Sequence, residues 1–475
     1  MNYNTAVLRS KYISLLKKRN FNTPQVLKAA LYLTWGASFL LALTTIFGAQ
    51  TQRQAIQSVG KDSIPSIITA QRIKDTLVGM DAYVANELLL KPTDYVGAPQ
   101  EYEKLRRSAI DGYEERRKAF SERLIIAAKN ITYGEAETKP IETLQLSLGD
   151  YIAKVQSARD FHQRGDANGA LLAYREASQI IDNILMPAVD KLDNVNFQQL
   201  DIIYSQQGFK TTGSLFLILI SGTFLLGVLA VTQVFLYLKM RRILNPMLLG
   251  ATAITLIFIG YSTQSLISAS NNLKVAKEDA FNSLYALRQA RALAYGANAD
   301  ESRYLLDKEN ALKHEQAFFD KVNQIMKLPV GKTWNDVKAT LIAGKKVEGI
   351  TGLFAIGINN ITFPGERGAV IGTILTFGDY LDIDKQIRHL EQSGKHLEAV
   401  KLTVGKDKGQ SNFAFDEFKK AHLKAQEINS KVLDKYIDQG FQNIQGFEAI
   451  TVIATLSIST LTLFGLRLRL REYQI

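Results

Sequence analysis

Four stretches of the chain carry no charged residue at all: residues 29–48, 214–238, 244–267 and 449–466. A helix rises 1.5 Å per residue, so each stretch is long enough to cross a hydrocarbon layer of about 30 Å. Core helices of a soluble protein that long usually include a charge, so the pattern predicts four transmembrane helices. Between them the pattern changes to helical spacing. Residues 71–90 place Ile73, Leu77, Met80, Tyr83, Val84 and Leu88 three or four positions apart, which predicts an amphipathic helix.

Turn signals divide the first long polar segment. Residues 91–99 include Pro92, Gly97 and Pro99, residues 130–140 include Gly134 and Pro140, and residues 163–166 contain Gly165-Asp166. These breaks predict four helices, the first running out of one span and the fourth returning into the next. The expected form is an up-down-up-down four-helix bundle standing on the membrane.

The chain also repeats itself. Gly48-Ala49-Gln50-Thr51-Gln52 returns as Gly260-Tyr261-Ser262-Thr263-Gln264, and Ala82-Tyr83-Val84-Ala85-Asn86 as Ala294-Tyr295-Gly296-Ala297-Asn298, both at an offset of 212. Asn130-Ile131-Thr132-Tyr133 returns as Asn360-Ile361-Thr362-Phe363, Gly149-Asp150-Tyr151-Ile152 as Gly378-Asp379-Tyr380-Leu381, and Gln207-Gly208-Phe209 as Gln439-Gly440-Phe441, at offsets of 230, 229 and 232. Five matches in one order predict a tandem duplication in parallel orientation. The jump in offset places extra residues in the second copy, around Leu328–Gly349, where Pro329, Gly331, Trp334 and Gly344 interrupt the helical pattern.

The fold class expected is therefore an all-α membrane protein, with four transmembrane helices and two extracytoplasmic up-down four-helix bundles in tandem. Its parts are a basic cytoplasmic arm (1–28), span one (29–48), outer bundle one (49–213), span two (214–238), a cytoplasmic link (239–243), span three (244–267), outer bundle two (268–448), span four (449–466) and a basic cytoplasmic tail (467–475). In the second bundle, residues 352–358 and 369–375 are notably apolar. They read as bundle core, with contact to the bilayer interface or another subunit as the alternative.

A net charge of +11 over 475 residues first suggests a nucleic-acid binder. The distribution removes that reading. Segment 51–210 holds 20 basic and 22 acidic residues, and segment 268–446 holds 25 and 22. The excess sits in three short clusters: the arm with Arg9, Lys11, Lys17, Lys18, Arg19 and Lys28, the link with Lys239, Arg241 and Arg242, and the tail with Arg467, Arg469 and Arg471. Short basic loops stay cytoplasmic. All three clusters fall on one side of an even number of spans, which predicts both termini inside an inner (plasma) membrane and both bundles periplasmic or extracellular. The first span follows a 28-residue arm and lacks a small residue ahead of Gly48-Ala49, so it is not expected to be a cleaved signal. Residues 7–19 suit a basic amphipathic helix lying on lipid, with Leu8, Tyr12, Leu15 and Leu16 on one side.

Two spans bracketing an outer bundle resemble the sensor modules of methyl-accepting chemotaxis receptors and sensor histidine kinases. The similar stretch runs from Arg164-Gly165-Asp166-Ala167-Asn168-Gly169-Ala170-Leu171 to Ile184-Leu185-Met186-Pro187-Ala188-Val189-Asp190-Lys191-Leu192. The resemblance implies a sensory role and, because such receptors work as homodimers, two halves packed as a covalent pseudo-dimer, with a homo-oligomer as the alternative. The chain departs from those proteins after Leu238, where no linker bundle, methylated coiled coil or kinase follows, only Lys239–Leu244 and the next span, and no ligand residue carries over.

Chemistry is sparse. The absence of cysteine excludes thiol catalysis and disulfides. Of the five histidines, His314 neighbours Glu315, while His389, Glu391 and His396 are spaced poorly for a metal site. Gly344-Lys345-Lys346 is not a phosphate loop. No charge lies within a span, which disfavours an ion pathway, and Thr232 and Gln233 suit helix–helix hydrogen bonds. No catalytic, cofactor or metal residue is assigned, and an enzyme is not expected. The repeated motifs, Asn130, Thr132, Tyr133, Asp150 and Tyr151 with Asn360, Thr362, Phe363, Asp379 and Tyr380, read as structural turns whose Asn and Thr close helix ends. Asn130 and Asn360 also begin glycosylation sequons. The functional expectation is a non-enzymatic membrane sensor or co-receptor, binding a small molecule or protein and signalling through a partner in the membrane or cytoplasm. The alternative is an accessory or scaffold subunit of a larger membrane complex. Membrane lipid, not nucleic acid, is the expected surface.

Overall fold

The computed structural model describes residues 22–240 and 245–472. The arm residues Lys17, Lys18 and Arg19, the link residues Arg241 and Arg242, and the expected helix over 7–19 lie outside the described residues. Lys239 ends one long helix, and Arg467, Arg469 and Arg471 end another, with Arg469 2.6 Å from Glu472.

The described chain is helical almost throughout, and four helices are long and apolar enough to cross a membrane. Helix α1 runs from Thr23 to Leu89, α4 from Ala167 to Lys239 and α5 from Pro246 to Leu306. Between α1 and α4 come α2 (Pro99–Lys129) and α3 (Glu135–Gln163). After α5 follow α6 (Ala311–Ile325), α7 (Trp334–Ile342), α8 (Leu353–Asn359), α9 (Glu366–Gln392), α10 (His396–Val404), α11 (Ser411–Asn443) and α12 (Phe447–Arg471). The long helices absorb single π-helical turns at Ser58–Ser63 in α1, Ile181–Leu185 in α4 and Val275–Phe281 in α5. Pro99 opens α2, where its missing N–H costs nothing. Gly165 (φ 78°) and Gly394 (φ 77°) end α3 and α9 in the left-handed conformation that glycine adopts without strain.

The chain divides into two compact units. The first comprises Met1–Ala55, Ser205–Asn271 and Gln439–Ile475. Its helices touch through small and hydroxyl-bearing residues, as helices in lipid do. Trp35 Nε1 donates to the Ser459 carbonyl at 3.2 Å, Thr44 and Ser221 hydroxyls lie 2.9 Å apart, and Asn245 Nδ2 donates to the Gly465 carbonyl at 2.8 Å. The other faces are apolar and open: Phe39 is 61% exposed and Ile257 71%. Such a surface suits lipid and not water. At the polar end of this unit Arg53 pairs with Glu448 at 2.8 Å, and Gln207 donates to Gln52 at 2.6 Å.

The second unit comprises Ile56–Tyr204 and Asn272–Asp438. The first segment packs α1, α2, α3 and α4 around Leu77, Met80, Phe120, Leu144, Tyr151 and Leu185. The second segment is richer in aromatic rings: Phe354, Phe377, Tyr380, Phe415 and Phe418 pack edge-on or tilted with centroids 5.2–6.5 Å apart. The apolar stretches at 352–358 and 369–375 supply that core, since Phe354, Val370 and Ile374 are buried. Two sections of the second segment are less regular than the first. An excursion between α6 and α8 is closed by a two-residue antiparallel bridge between Lys327 and Thr351 and carries α7. The excursion spans Leu328–Gly349. A loop from Gly405 to Gln410 interrupts the return helix between α10 and α11.

A buried polar seam between α1 and α5

The repeated Asn-Ile-Thr motifs do the same structural work twice. Asn130 Nδ2 donates to Ser66 Oγ at 2.6 Å, and Asn360 Nδ2 donates to Ser283 Oγ and the Asp279 carbonyl at 2.8 Å. Both amides tie the turn to the first helix of their segment. The helix after each turn is capped by a buried glutamate that sequence reasoning missed. Glu137 Oε2 accepts from the Thr132 and Tyr133 N–H groups at 2.6 Å, and Glu366 Oε2 accepts from Thr362 and Phe363 at 2.9 and 3.1 Å. The free oxygen of each accepts an asparagine amide of the return helix, Asn196 at 2.8 Å and Asn429 at 2.9 Å. Tyr133 adds a 2.7 Å contact to Ser63 that Phe363 has no hydroxyl to make.

The Gly-Asp-Tyr motifs are not turns. Gly149, Asp150 and Tyr151 lie inside α3, and Gly378, Asp379 and Tyr380 inside α9. Helical periodicity explains their recurrence: the tyrosines are fully buried in the cores while Asp150 is exposed and Asp379 pairs with Lys338 at 2.6 Å.

The largest unforeseen feature lies where α1 packs beside α5. Both helices carry buried small residues over this stretch, among them Ala82 on α1 and Ala290 and Ala294 on α5, and small residues let helix backbones approach. Set among them is a row of charges. Arg291 Nε lies 3.3 Å from both oxygens of Asp75, Arg303 Nη2 lies 2.5 Å from Asp81, and Ser302 Oγ donates to Asn86 Oδ1 at 2.6 Å. Arg116 of α2 reaches across to the Tyr295 hydroxyl and rests its guanidinium 4.2 Å above that ring. Further out, Arg175 grips Asp307 at 2.5 and 3.0 Å.

Burial sets the protonation of this seam. It pushes Asp81 up to about 6, partly offset by Arg303, and Asp193 to about 6 against Lys74. Asp75 is also desolvated, but Arg291, Arg116, Arg123 and Arg288 together hold it below the usual carboxylate range. Glu301 is fully buried beside Asp384. Because Arg388 holds Asp384 with two hydrogen bonds of 2.8 and 2.9 Å, the proton belongs on Glu301, whose carboxyl is pushed up to about 8. Ser411 Oγ donates to Glu301 at 2.7 Å.

The histidines do not converge. His314 sits 3.4 Å from Asp307, His396 2.7 Å from Glu391, and His422 is buried with its pKa pushed down to about 3. Among the described residues no group of three His, Cys, Asp or Glu side chains is placed to hold a metal ion.

Residues 55–205, from within α1 to within α4, match the family model of an actinobacterial sensor domain. No curated protein and no solved structure matches the chain.

Proposed function

We propose that this protein is a membrane sensor or co-receptor without enzymatic activity, built by tandem duplication so that its two outer bundles pack as a covalent pseudo-dimer. The sensor-domain match over 55–205 supports the sensory role. The matched Asn130/Asn360 and Glu137/Glu366 hydrogen-bond sets support the duplication.

The observation that carries the reading is the α1–α5 seam. Buried ion pairs add little net stability, since desolvation costs about as much as the attraction returns. They do allow discrete alternative pairings, and a sensor needs two states of similar energy. Helices α1 and α5 each carry an apolar stretch and a seam stretch on one continuous helical chain, with a π-helical turn between them, which supports the seam as the place where a signal begins. In this reading the basic tails are cytoplasmic and the outer bundles extracytoplasmic. On the same reading the message passes through the spans to another membrane protein.

The test is to purify the full chain in mild detergent, denature it and identify any released small molecule. Returning that molecule should raise the melting midpoint and change the cross-linking rate of a Ser38→Cys/Ser459→Cys pair, whose hydroxyls lie 3.4 Å apart. A fixed protein partner, with no molecule that shifts either readout, would replace this reading with the scaffold.

A further inference from the structure

Five arginines crowd one carboxylate on the α1–α5 seam. Arg72 comes from α1, Arg116 and Arg123 from α2, and Arg288 and Arg291 from α5, all within electrostatic reach of one another or of Asp75. Asp75 is the one carboxylate with which any of them forms an ion pair among the described residues: Arg291 at 3.3 Å and Arg116 at 3.6 Å. Three of the five are further committed. Arg116 donates to the Asp75 carbonyl at 3.1 Å and to Tyr295, Arg123 donates to the Arg72 carbonyl at 2.7 Å and to Thr76, and Arg291 Nε is held by Asp75.

Arg288 and Arg72 make no side-chain hydrogen bond or ion pair with the described residues. Arg288 Nε is buried without a partner. A guanidinium in that position, facing like charges, is costly. Its pKa falls to about 9, through burial first and then the repulsion of Arg72, Arg291 and Arg123. The two uncommitted forks belong to different helices, one on α1 and one on α5. An arginine fork matches the paired oxygens of a carboxylate, nitrate, phosphate or sulfate.

From this geometry we infer a binding site for one small oxyanion per chain, held by Arg288 and Arg72 with Arg123 beside them, bridging α1 and α5. Among the described residues the site occurs once. At the 212-residue offset Arg72 and Asp75 become Leu284 and Leu287, and Arg288 and Arg291 become Thr76 and Gly79, so the opposite side of the seam has no such cluster. The inference rests on the sensor reading only for its purpose and names the class of ligand that reading leaves open.

The experiment measures the melting midpoint of the full chain in detergent, at fixed pH and ionic strength. Chloride is replaced stepwise by nitrate, sulfate, phosphate, acetate or succinate. At least one oxyanion should raise the midpoint saturably above chloride, and calorimetry should give one site per chain. Arg288→Ala should raise the midpoint without the oxyanion, by relieving repulsion, and abolish the oxyanion-dependent rise. Arg72→Ala, at an exposed position, should weaken apparent affinity at least tenfold. Arg164→Ala, in the exposed α3–α4 turn, should retain the full rise. The site is refuted if no oxyanion differs from chloride, or if the rise survives undiminished in both Arg288→Ala and Arg72→Ala. A different molecule that shifts the midpoint, while no oxyanion does, would refute this site and leave the sensor reading intact. An oxyanion that binds at Arg288 without changing the Ser38→Cys/Ser459→Cys cross-linking rate would do the reverse.

Discussion

Replacing Glu301 by glutamine removes one titrating proton from the core of the second segment and leaves the shape nearly unchanged. Glu301 titrates near 4.5 in an unfolded chain and near 8 when folded, because burial and the Asp384 charge oppose its ionisation. A carboxyl raised on folding adds stability that is complete below about pH 4.5 and is lost as the pH climbs through about 8. Each pH unit inside that window costs at most about 1.4 kcal/mol, so going from pH 6 to pH 8 removes roughly 2.5 kcal/mol. At about 2 °C per kcal/mol for a large domain, the midpoint falls by roughly 5 °C. Asp81 and Asp193, raised to about 6, contribute with the same sign at lower pH. His422, held neutral down to about 3, contributes with the opposite sign below pH 6.5. Both effects are common to the two proteins, so the difference between their curves isolates Glu301. Melts of the full chain, followed by the fluorescence of buried Trp334, should show the native midpoint falling between pH 6 and 8 while the Glu301→Gln midpoint stays nearly level. Parallel curves would refute the assignment of the proton to Glu301.

Other expectations follow from the same geometry. Arg303→Met strands Asp81 and should cost about 3–5 kcal/mol, most of it recovered on adding Asp81→Asn; a double variant no better than the single would show that the pair is not coupled. Glu137→Gln and Glu366→Gln each weaken charge-assisted bonds and should cost about 1.5–3 kcal/mol, within a factor of about two of each other by denaturant titration. Gly149→Ala should be neutral or stabilising by up to about 1 kcal/mol, since a methyl there meets nothing within 4 Å. Gly378→Ala should destabilise strongly, because its methyl would sit 1.7 Å from the Trp334 ring; equal melting points for the two variants would contradict the packing of α7.

These glycines show where sequence reasoning stopped. Gly149 and Gly378 open the same Gly-Asp-Tyr motif, but only Gly378 faces a tryptophan, supplied by the excursion between α6 and α8. The apolar runs were legible because a missing charge over about twenty residues is a local signal. The turns at 91–99 and 163–166 were legible because proline and glycine act locally too. The seam was not. Asp75 and Asp81 on α1 look like the solvated side of an amphipathic helix, and their partners Arg291 and Arg303 lie more than 200 positions away. The alanines beside them were the available clue, since a helix facing water has no need for small residues along its polar side. Glu137 escaped notice for a related reason: its partners Thr132 and Tyr133 are close in sequence, but Asn196 is 59 residues on.

The central claim, that the two outer segments face away from the compartment holding the basic tails, has a direct test because the native chain contains no cysteine. Single cysteines at Val96 (83% exposed), Val330 (102% exposed) and Glu472 can be labelled in intact cells with a membrane-impermeant maleimide. The account predicts modification of Val96→Cys and Val330→Cys in intact cells, and of Glu472→Cys only after the membrane is permeabilised. Modification of Glu472→Cys in intact cells, or protection of either outer position until lysis, would contradict it.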